Sequence, residues 1–266
     1  PGETVLEVDA LRVVDETGQV VVDDVSFSVR GGEIYAVAGV QGNGQTELTE
    51  SLIGLTRPTS GRIRIDGDDV THESIDEILS RGVGYVPEDR SHDGLVAGFT
   101  IAENLVLDIF DQPPFAKGMS LDLKVIDDNA EKRVQEFDIR TPSIHASAST
   151  LSGGNQQKLV LARELSRPLR ILVVAQPTRG VDVGSQEFVH KRIIAERENG
   201  AAVVLISSEL DEVLGLADRI AVMYRGRIIG EVPAGTSAEQ IGLLMAGSTI
   251  ESAQDESASG LAEEAP

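Results

Sequence analysis

Residues 33–53 read EIYAVAGVQGNGQTELTESLI, and this stretch decides the fold. Residues 33–38 are nearly all apolar, as expected of a strand that is buried on both faces of a sheet. A glycine-rich turn over 39–44 follows at once, and a helix is predicted from about Gln45 to Ile53. A buried strand, a glycine-rich turn and a helix in this order are the context of a phosphate-binding loop, so the chain is predicted to have an α/β fold.

The turn itself reads GVQGNGQT over residues 39–46, close to the phosphate-loop form GxxxxGK[ST]. Backbone N–H groups over 42–46 can cradle phosphates. Glutamine replaces the lysine of the pattern, and a neutral amide donates a weaker hydrogen bond than an ammonium group. The glycine spacing does not fit a dinucleotide-binding GxGxxG turn. A glycine turn that binds no ligand remains an alternative interpretation of this segment. The candidate binding residues are Gly39, Gly42, Asn43, Gly44, Gln45 and Thr46.

A second motif, LSGGNQQ at 151–157, begins a helix that is predicted to continue to about Leu165. Ser152 stands where a helix N-cap belongs, and Gly153 and Gly154 leave backbone N–H groups uncovered at the positive end of the helix. This is an anion site in outline. No neighbouring segment completes a phosphate pocket around it.

The remaining pattern predicts a sheet interrupted by a helical region. Strands are predicted at 5–8, 11–14, 20–22, 25–29, 61–65, 83–86, 171–175 and 202–207, with a hairpin at 219–224 and 228–232. Residues 1–87 and 167–248 are expected to form a sheet core with an antiparallel β subdomain, and residues 88–166 an inserted helical subdomain. Residues 249–266, with five acids and no bases, are predicted to be a disordered tail.

Composition excludes several functions. A net charge of -21 opposes binding to nucleic acid and to anionic lipid, and aromatic residues make up only 3% of the chain. The chain has no cysteine, and its four histidines lack the spacing of a metal site. We therefore expect no nucleic-acid partner and no metal-binding residue, and any nucleotide must be held by local dipoles and a few placed side chains.

Further motifs occur together with the loop and LSGGNQQ: GYVPEDR at 84–90 and AQPTRGVDVGSQEFVH at 175–190. Over about 5–247 the chain resembles an ATP-binding cassette (ABC) domain, and more narrowly the second, degenerate cassette of tandem ATP-binding subunits of bacterial sugar and nucleoside importers. The resemblance implies a P-loop NTPase cassette with a RecA-like mixed-sheet core, an antiparallel β subdomain and a helical signature subdomain. It also implies ATP as the ligand.

The same resemblance shows which functional positions have changed. Ala175 and Gln176 stand where the family has a magnesium-holding aspartate and a water-polarising glutamate, and Ser208 stands at the switch histidine. The glutamine that senses the terminal phosphate falls at Glu88 or Pro87. Loss of a general base alone costs about 10²- to 10⁴-fold in rate. We predict no catalytic residue, weak or absent ATP hydrolysis at the chain's own loop, and leave the use of Mg²⁺ open.

The signature residues Ser152, Gly153, Gly154 and Gln156 and the aspartate Asp182 are retained. In the family, the signature of one cassette closes over ATP held by the loop of another. The resemblance thus implies a second cassette, in the same polypeptide, which supplies ATP in trans, and a membrane permease partner that residues 93–104 would face. The implied location is the cytoplasmic face of the cell membrane, reached only through the permease.

Two alternatives remain at this point. One is an independent homodimeric ATPase that compensates through Gln45 and Gln176, and the other is a regulatory cassette with no role in transport. The transported solute is not visible in the sequence.

Overall fold

The computed structural model describes residues 1–118 and 120–248; the predicted tail over 249–266 lies outside the described residues. The described part contains both strands and helices. The strands are β1 (Thr4–Val14), β2 (Val20–Arg30), β3 (Ile34–Ala38), β4 (Ser60–Ile65), β5 (Asp68–Asp69), β6 (Val83–Val86), β7 (Ala116–Lys117), β8 (Ser120–Leu121), β9 (Ile171–Ala175), β10 (Ala202–Ser207), β11 (Arg219–Tyr224) and β12 (Arg227–Pro233). The helices are α1 (Gln45–Leu52), α2 (Ile75–Ser80), α3 (Ile101–Leu105), α4 (Leu123–Glu136), α5 (Gly153–Glu164), α6 (Val183–Glu198), α7 (Leu210–Leu216) and α8 (Ala238–Met245).

A six-stranded sheet in the order β12-β11-β3-β10-β9-β6 carries the phosphate-loop segment. Strands β11, β3, β10 and β9 are parallel neighbours, and β12 is antiparallel to β11. Every residue of β3, β9 and β10 is buried, as the unbroken apolar runs predict for central strands. The predicted mixed sheet is confirmed, and β3 runs directly into the glycine turn.

A four-stranded sheet in the order β2-β1-β4-β5 corrects part of the sequence prediction. Four short strands were expected between residues 5 and 29, but the structure has two strands of 11 residues each. Ala10 and Asp24 adopt positive φ angles of 48° and 57°, and the β1–β2 register shifts between Val8 and Leu11. These irregularities absorb the polar interruptions as bulges, so each strand continues through them.

The two sheets share one apolar core. Side chains from β1, such as Leu11, pack with Val37 of β3 and Val204 of β10, and α1 adds Leu48. Tyr35 is fully buried, stacks on Phe27 with ring centroids 5.0 Å apart, and donates its hydroxyl hydrogen bond to Glu231 over 2.5 Å. The face of β3 that carries Tyr35 and Val37 is therefore packed in this core just before the chain enters the glycine turn.

The helical region packs α3, α4 and α5 together. Buried apolar side chains include Leu105 of α3, Ala130 of α4 and Leu159 of α5. Strand β7 pairs with β8 in a short antiparallel ladder between α3 and α4 in the chain. A five-residue helical turn at Arg90–Gly94 precedes α3.

Contacts group the chain into two compact units. The first comprises Pro1–Tyr85, Leu169–Gln176 and the residues from Ile193 onward; the second comprises Val86–Pro168 and Pro177–Arg192. The domain boundaries predicted from the sequence stay a prediction. In the described ranges, the structure has no helix with the length and apolar character needed to span a membrane.

Candidate functional site

The glycine turn of the first unit has the backbone of an anion-binding loop. Gly42 and Gly44 have φ angles of 87° and 97°, in the left-handed region that glycine adopts without strain. A Cβ atom on Gly44 would lie 2.2 Å from the carbonyl oxygen of Val21, so no other residue fits there. Helix α1 begins directly after it, and its N-cap residue, Gly44, makes no side-chain capping hydrogen bond. The start of a helix carries N–H groups that the helix itself does not satisfy and that favour an anion.

Asn43 holds the turn in place. Its Nδ2 donates to the carbonyl of Val40 over 2.8 Å, and its Oδ1 accepts from the backbone N–H of Arg225 over 2.8 Å. The carbonyl of Asn43 also accepts from the N–H of Gly226 over 2.9 Å. The β11–β12 hairpin turn therefore fixes the loop, a role for Arg225 and Gly226 that the sequence pattern does not reveal because the hairpin is distant along the chain.

Gln45 is the unusual member of the loop. Its side chain is 5% exposed, and neither Nε2 nor Oε1 has a hydrogen-bond partner among residues 1–118 and 120–248. A Cβ atom on Gly39 would lie 2.5 Å from Nε2, so the amide lies directly against the first residue of the turn. A buried amide without partners costs about 1–3 kcal/mol. The loop thus holds an unsatisfied donor and acceptor between its two ends. The remaining loop residue, Thr46, is exposed in the first turn of α1.

Gln176 and Ser208 pair with each other in the same unit. Oε1 of Gln176 accepts from the backbone N–H of Ser208 over 3.1 Å and from its hydroxyl over 3.2 Å. Gln176 is 8% exposed and has a φ of 47°, at the end of β9. An amide in this position neither accepts a proton from water nor has its acceptor oxygen free, so the pair provides no general base.

The residues present do not fit a resident Mg²⁺ ion. Magnesium requires oxygen ligands in octahedral geometry, and Ala175, at the family's metal-binding position, has no side-chain oxygen. No group of three or more acidic, histidine or cysteine side chains within the described ranges is arranged to hold a metal ion. The glycine turn before α1 is present, whereas Ala175 carries no carboxylate.

The start of α5 forms a separate cluster in the second unit. Ser152 caps the helix, accepting at Oγ from the N–H of Asn155 over 3.4 Å and from its Nδ2 over 2.9 Å. Asn155 Oδ1 in turn accepts from the N–H of Arg140. Gln156 Oε1 accepts from the hydroxyl of Ser91 over 3.4 Å. Ser152 itself is exposed, so the capped helix end faces solvent.

Gly154 brings Asp182 against this helix end. A Cβ atom on Gly154 would lie 2.3 Å from Ser185 Oγ and 2.7 Å from Asp182 Oδ2. Asp182 accepts from the Ser185 hydroxyl over 2.8 Å and from its N–H over 3.0 Å, and these hydrogen bonds hold the pKa of the Asp182 carboxyl below its ordinary value. The structure thus brings Asp182 against the start of the LSGGNQQ helix, from which it is separated by 28 residues in the sequence.

Arg90 is a site residue that the sequence pattern did not single out. Its Nη1 donates to the carbonyl of Arg179 over 2.7 Å and its Nη2 to that of Gly180 over 3.2 Å. The same Nη2 lies 2.6 Å from where a Cβ on Gly153 would be, and Arg179 forms an ion pair with Glu88. Partial burial lowers the pKa of Arg90. A fixed cation therefore lies at the positive end of α5.

An apolar groove of about 390 Å³ lies in the second unit. It includes part of the 93–104 segment and is lined by Phe99, Val106, Phe110, Leu121, Leu123 and Ile126, with His145 and Asp127 at its polar side. Phe99, Phe110 and Leu123 are 44%, 48% and 68% exposed, so the groove opens to solvent.

The family model described as "ABC transporter" matches residues 22–179. The chain is 46% identical over 251 residues to the nucleoside import ATP-binding protein NupA of Lactococcus lactis subsp. cremoris, covering 94% of this chain and 50% of that protein. It is 45% identical over 250 residues to the guanosine import ATP-binding protein NupO of Bacillus subtilis (94% and 49% covered), and 41% identical over 251 residues to the ribose import ATP-binding protein RbsA 1 of Rubrobacter xylanophilus (93% and 49%). The chain thus spans about half the length of these curated relatives.

Two solved structures share the fold. A nucleotide-free ATP-binding cassette from an ABC transporter aligns with a TM-score of 0.74 and 22% identity, covering 87% of this chain and 92% of that one. A dimeric ATP-binding cassette bound to ADP and Pi aligns with a TM-score of 0.74 and 21% identity, covering 87% and 100%. These likenesses confirm the predicted cassette fold with a mixed sheet, an antiparallel β subdomain and a helical subdomain.

Proposed function

The chain belongs to the ABC transporter family, and we propose that it is the degenerate cassette of a nucleoside importer. In this proposal it donates its signature helix to ATP held by a partner cassette and does not hydrolyse ATP at its own loop. The observation that carries the proposal is the division of the chain's motifs. The cluster of Ser152, Gly153, Gly154, Gln156 and Asp182 is complete, whereas the hydrolytic positions hold Ala175, Gln176 and Ser208.

Geometry supports the signature half of the proposal. Ser152 caps an exposed helix end, Gly154 allows Asp182 to approach it, and Arg90 adds a positive charge. Exposed backbone dipoles and a fixed guanidinium favour a phosphate brought by another molecule, even on a chain with a net charge of -21. The Asp182 carboxylate is held by Ser185, so it orders the loop beside the helix end.

The loop half of the proposal is supported by chemistry. The loop residues Gly39, Gly42, Asn43, Gly44, Gln45 and Thr46 remain candidates for weak nucleotide binding. The Gln176 acceptor oxygen is occupied by Ser208, and Ala175 supplies no metal ligand. At this end of β9, therefore, no side chain activates the attacking water, and none holds a metal ion that would neutralise the phosphates.

The partners and solute follow from the relatives. Their names describe import ATP-binding proteins, and two that are at least 45% identical import nucleosides or guanosine, which favours a nucleoside over a sugar. Because the chain spans about half of each relative, a second cassette would occupy the rest of such a polypeptide. The assembly would lie at the cytoplasmic face of the membrane, bound through a permease that contacts the 93–104 segment.

The test is the ATP turnover of the assembly. The chain is isolated with the complete cassette and permease that co-purify with it, and the Ser152→Arg variant is compared with wild type. We expect the isolated chain to turn over ATP at background rate and the assembly to lose turnover in the variant, because arginine fills the helix end that must meet the partner's phosphate.

Ser237→Arg is the matched control, since Ser237 caps α8 through the N–H of Gln240 in the same way. It should destabilise its helix comparably and leave turnover unchanged. A turnover near 1 per second by the isolated chain that Ser152→Arg abolishes would instead identify an independent homodimeric ATPase. Absence of any cassette or permease partner would favour the regulatory alternative.

A further inference from the structure

The end of α4 binds two cationic side chains that come from α5 and α6. Lys158 of α5 donates from Nζ to the carbonyl of Asp138 over 2.9 Å and to its Oδ2 over 2.8 Å. Arg192 of α6 donates from Nη2 to the carbonyl of Glu136, the last residue of α4. Carbonyl groups at a helix end, such as that of Glu136, have no partner within the helix and favour cations. The end of α4 is therefore a common anchor for α5 and α6.

Two aromatic rings contact these cations. The rings of Phe137 and Phe188 meet edge to face, with centroids 6.1 Å apart. The guanidinium carbon of Arg192 is 4.3 Å from the centroid of Phe137 and 5.2 Å from that of Phe188. Lys158 Nζ is 4.9 Å from the Phe188 centroid. A cation within about 6 Å of a ring centroid is attracted by the ring quadrupole. We call Phe137, Lys158, Phe188 and Arg192 the aromatic clamp.

The aromatic clamp lies one helical turn beyond the start of α5. On α5, Lys158 follows Gly154 by four residues, and on α6, Phe188 follows Ser185 by three. Residues with these spacings share one face of a helix. Ser185 lies against Gly154, where a Cβ atom would be 2.3 Å from its Oγ. The contact of Gly154 with Ser185 and the contact of Lys158 with Phe188 therefore fix together how far α6 lies along α5.

The position of Asp182, immediately before α6, depends on this register. Its carboxylate accepts from the N–H and the hydroxyl of Ser185 and lies 2.7 Å from where a Cβ on Gly154 would be. A displacement of α6 by one residue would move Asp182 by about 1.5 Å along the helix axis. A misplacement of about 1 Å at a reacting centre can lower a rate on the order of 10²-fold. The register of α6 is thus important to whatever the start of α5 does.

We propose that Phe188 and Arg192 are positioning residues, which fix α6 along α5 through the aromatic clamp and so hold Asp182 beside the start of the signature helix. Both side chains act through Asp182 and not on a nucleotide. The proposal rests on the proposed function in one respect, namely that this helix end meets a partner's phosphate. The placement of Asp182 is a property of this chain alone and is measured without a partner.

The first measurement is hydrogen exchange of the Ser185 N–H in the full chain, followed by NMR. In Phe188→Leu we expect this exchange to become about 3- to 30-fold faster, because the contacts of the ring with two cations are lost. Arg192→Met keeps the length of the side chain, removes the charge and should act in the same direction. Phe188→Tyr keeps the ring and should restore the wild-type rate. Phe115→Leu, at another buried ring of the second unit, is the matched control and should leave the rate unchanged.

The second measurement is ATP turnover by the assembly with the complete cassette and permease, with every variant assayed below its melting temperature. In Phe188→Leu we expect kcat to fall at least about fivefold and KM to stay within about twofold, because the partner's loop binds the ATP and the signature helix meets it afterwards. Phe188→Tyr should restore kcat, and Phe115→Leu should not change it.

Unchanged exchange of the Ser185 N–H in Phe188→Leu would overturn the positioning role. Faster exchange with an unchanged kcat would overturn its link to turnover. A wild-type turnover in the Ser152→Arg assembly would instead refute the proposed function, and the exchange measurement on the chain alone would still decide whether the aromatic clamp positions Asp182.

Discussion

Oε1 of Gln176 accepts hydrogen bonds from both the backbone N–H and the hydroxyl of Ser208, at 3.1 Å and 3.2 Å. Under the proposed function, the resemblance places a catalytic glutamate and a switch histidine at these two positions. In this chain Gln176 and Ser208 hydrogen-bond to each other, which is a structural contact between the ends of β9 and β10.

Restoring the carboxylate alone should not restore hydrolysis. In Gln176→Glu the new side chain regains a proton acceptor, but Ala175 still provides no metal ligand and position 45 no positive charge. We expect ATP turnover of the isolated chain to stay at background in a phosphate-release assay. The variant with Gln45→Lys, Ala175→Asp, Gln176→Glu and Ser208→His is the comparison. A marked rise in turnover from Gln176→Glu alone would show that only the base is missing.

Gly154→Ala should destabilise the second unit. The added methyl group would lie 2.3 Å from Ser185 Oγ and 2.7 Å from Asp182 Oδ2, and the displacement should cost about 1–3 kcal/mol in the free energy of unfolding. Urea denaturation measures this cost. Gly215→Ala in α7 is the control, because a Cβ there meets nothing within 4 Å and alanine favours helix by up to about 1 kcal/mol. Equal effects of the two changes would contradict the packing described here.

Arg90 should stabilise the 179–180 backbone because its guanidinium donates to two neighbouring carbonyls at once. Arg90→Lys keeps the charge but cannot donate to the carbonyls of both Arg179 and Gly180 in the same fork, so we expect a loss of about 1–2 kcal/mol and faster proteolysis within 177–182. Limited proteolysis and urea denaturation report the two effects. Lys117→Arg, at the exposed residue of β7, should leave both unchanged. Full retention of protection in Arg90→Lys would mean that charge alone suffices.

The contribution of Asp182 should depend on pH only in acid. Its folded-state pKa is lowered from 3.8, chiefly by Ser185, so the stabilisation is present above 3.8 and is lost as the pH falls through the lowered value. The difference in free energy of unfolding between wild type and Asp182→Ala should therefore be constant from about pH 8 to pH 5.

Glu16→Ala, on an exposed turn, is the control for that pH series, with an expected effect within about 0.5 kcal/mol at every pH. A wild-type to Asp182→Ala difference that disappears by pH 5 would mean that the carboxylate is not held as the structure describes.

Local pattern accounts for much of the fold. Unbroken apolar runs identified β3, β9 and β10, and the capping serine with the glycines located α5 to within about two residues. Pattern failed where a strand continues through polar residues, as at Ala10 and Asp24, because a bulge is a property of the pairing with a neighbouring strand and not of the segment itself.

The sequence by itself determined the residue types at each functional position, including the glycines of the 39–46 turn, the neutral Gln45 and the apolar Ala175. Only the tertiary structure decided what those residues contact. Gln176 meets Ser208 across 32 residues of sequence, and Arg90 reaches the carbonyl of Gly180 across 90. The Gln45 amide lies against Gly39 with no hydrogen-bond partner in the part of the chain that the structure describes. Such contacts depend on how the sheet and helices bring separate loops together, and the spacing of residues within a segment does not predict that arrangement.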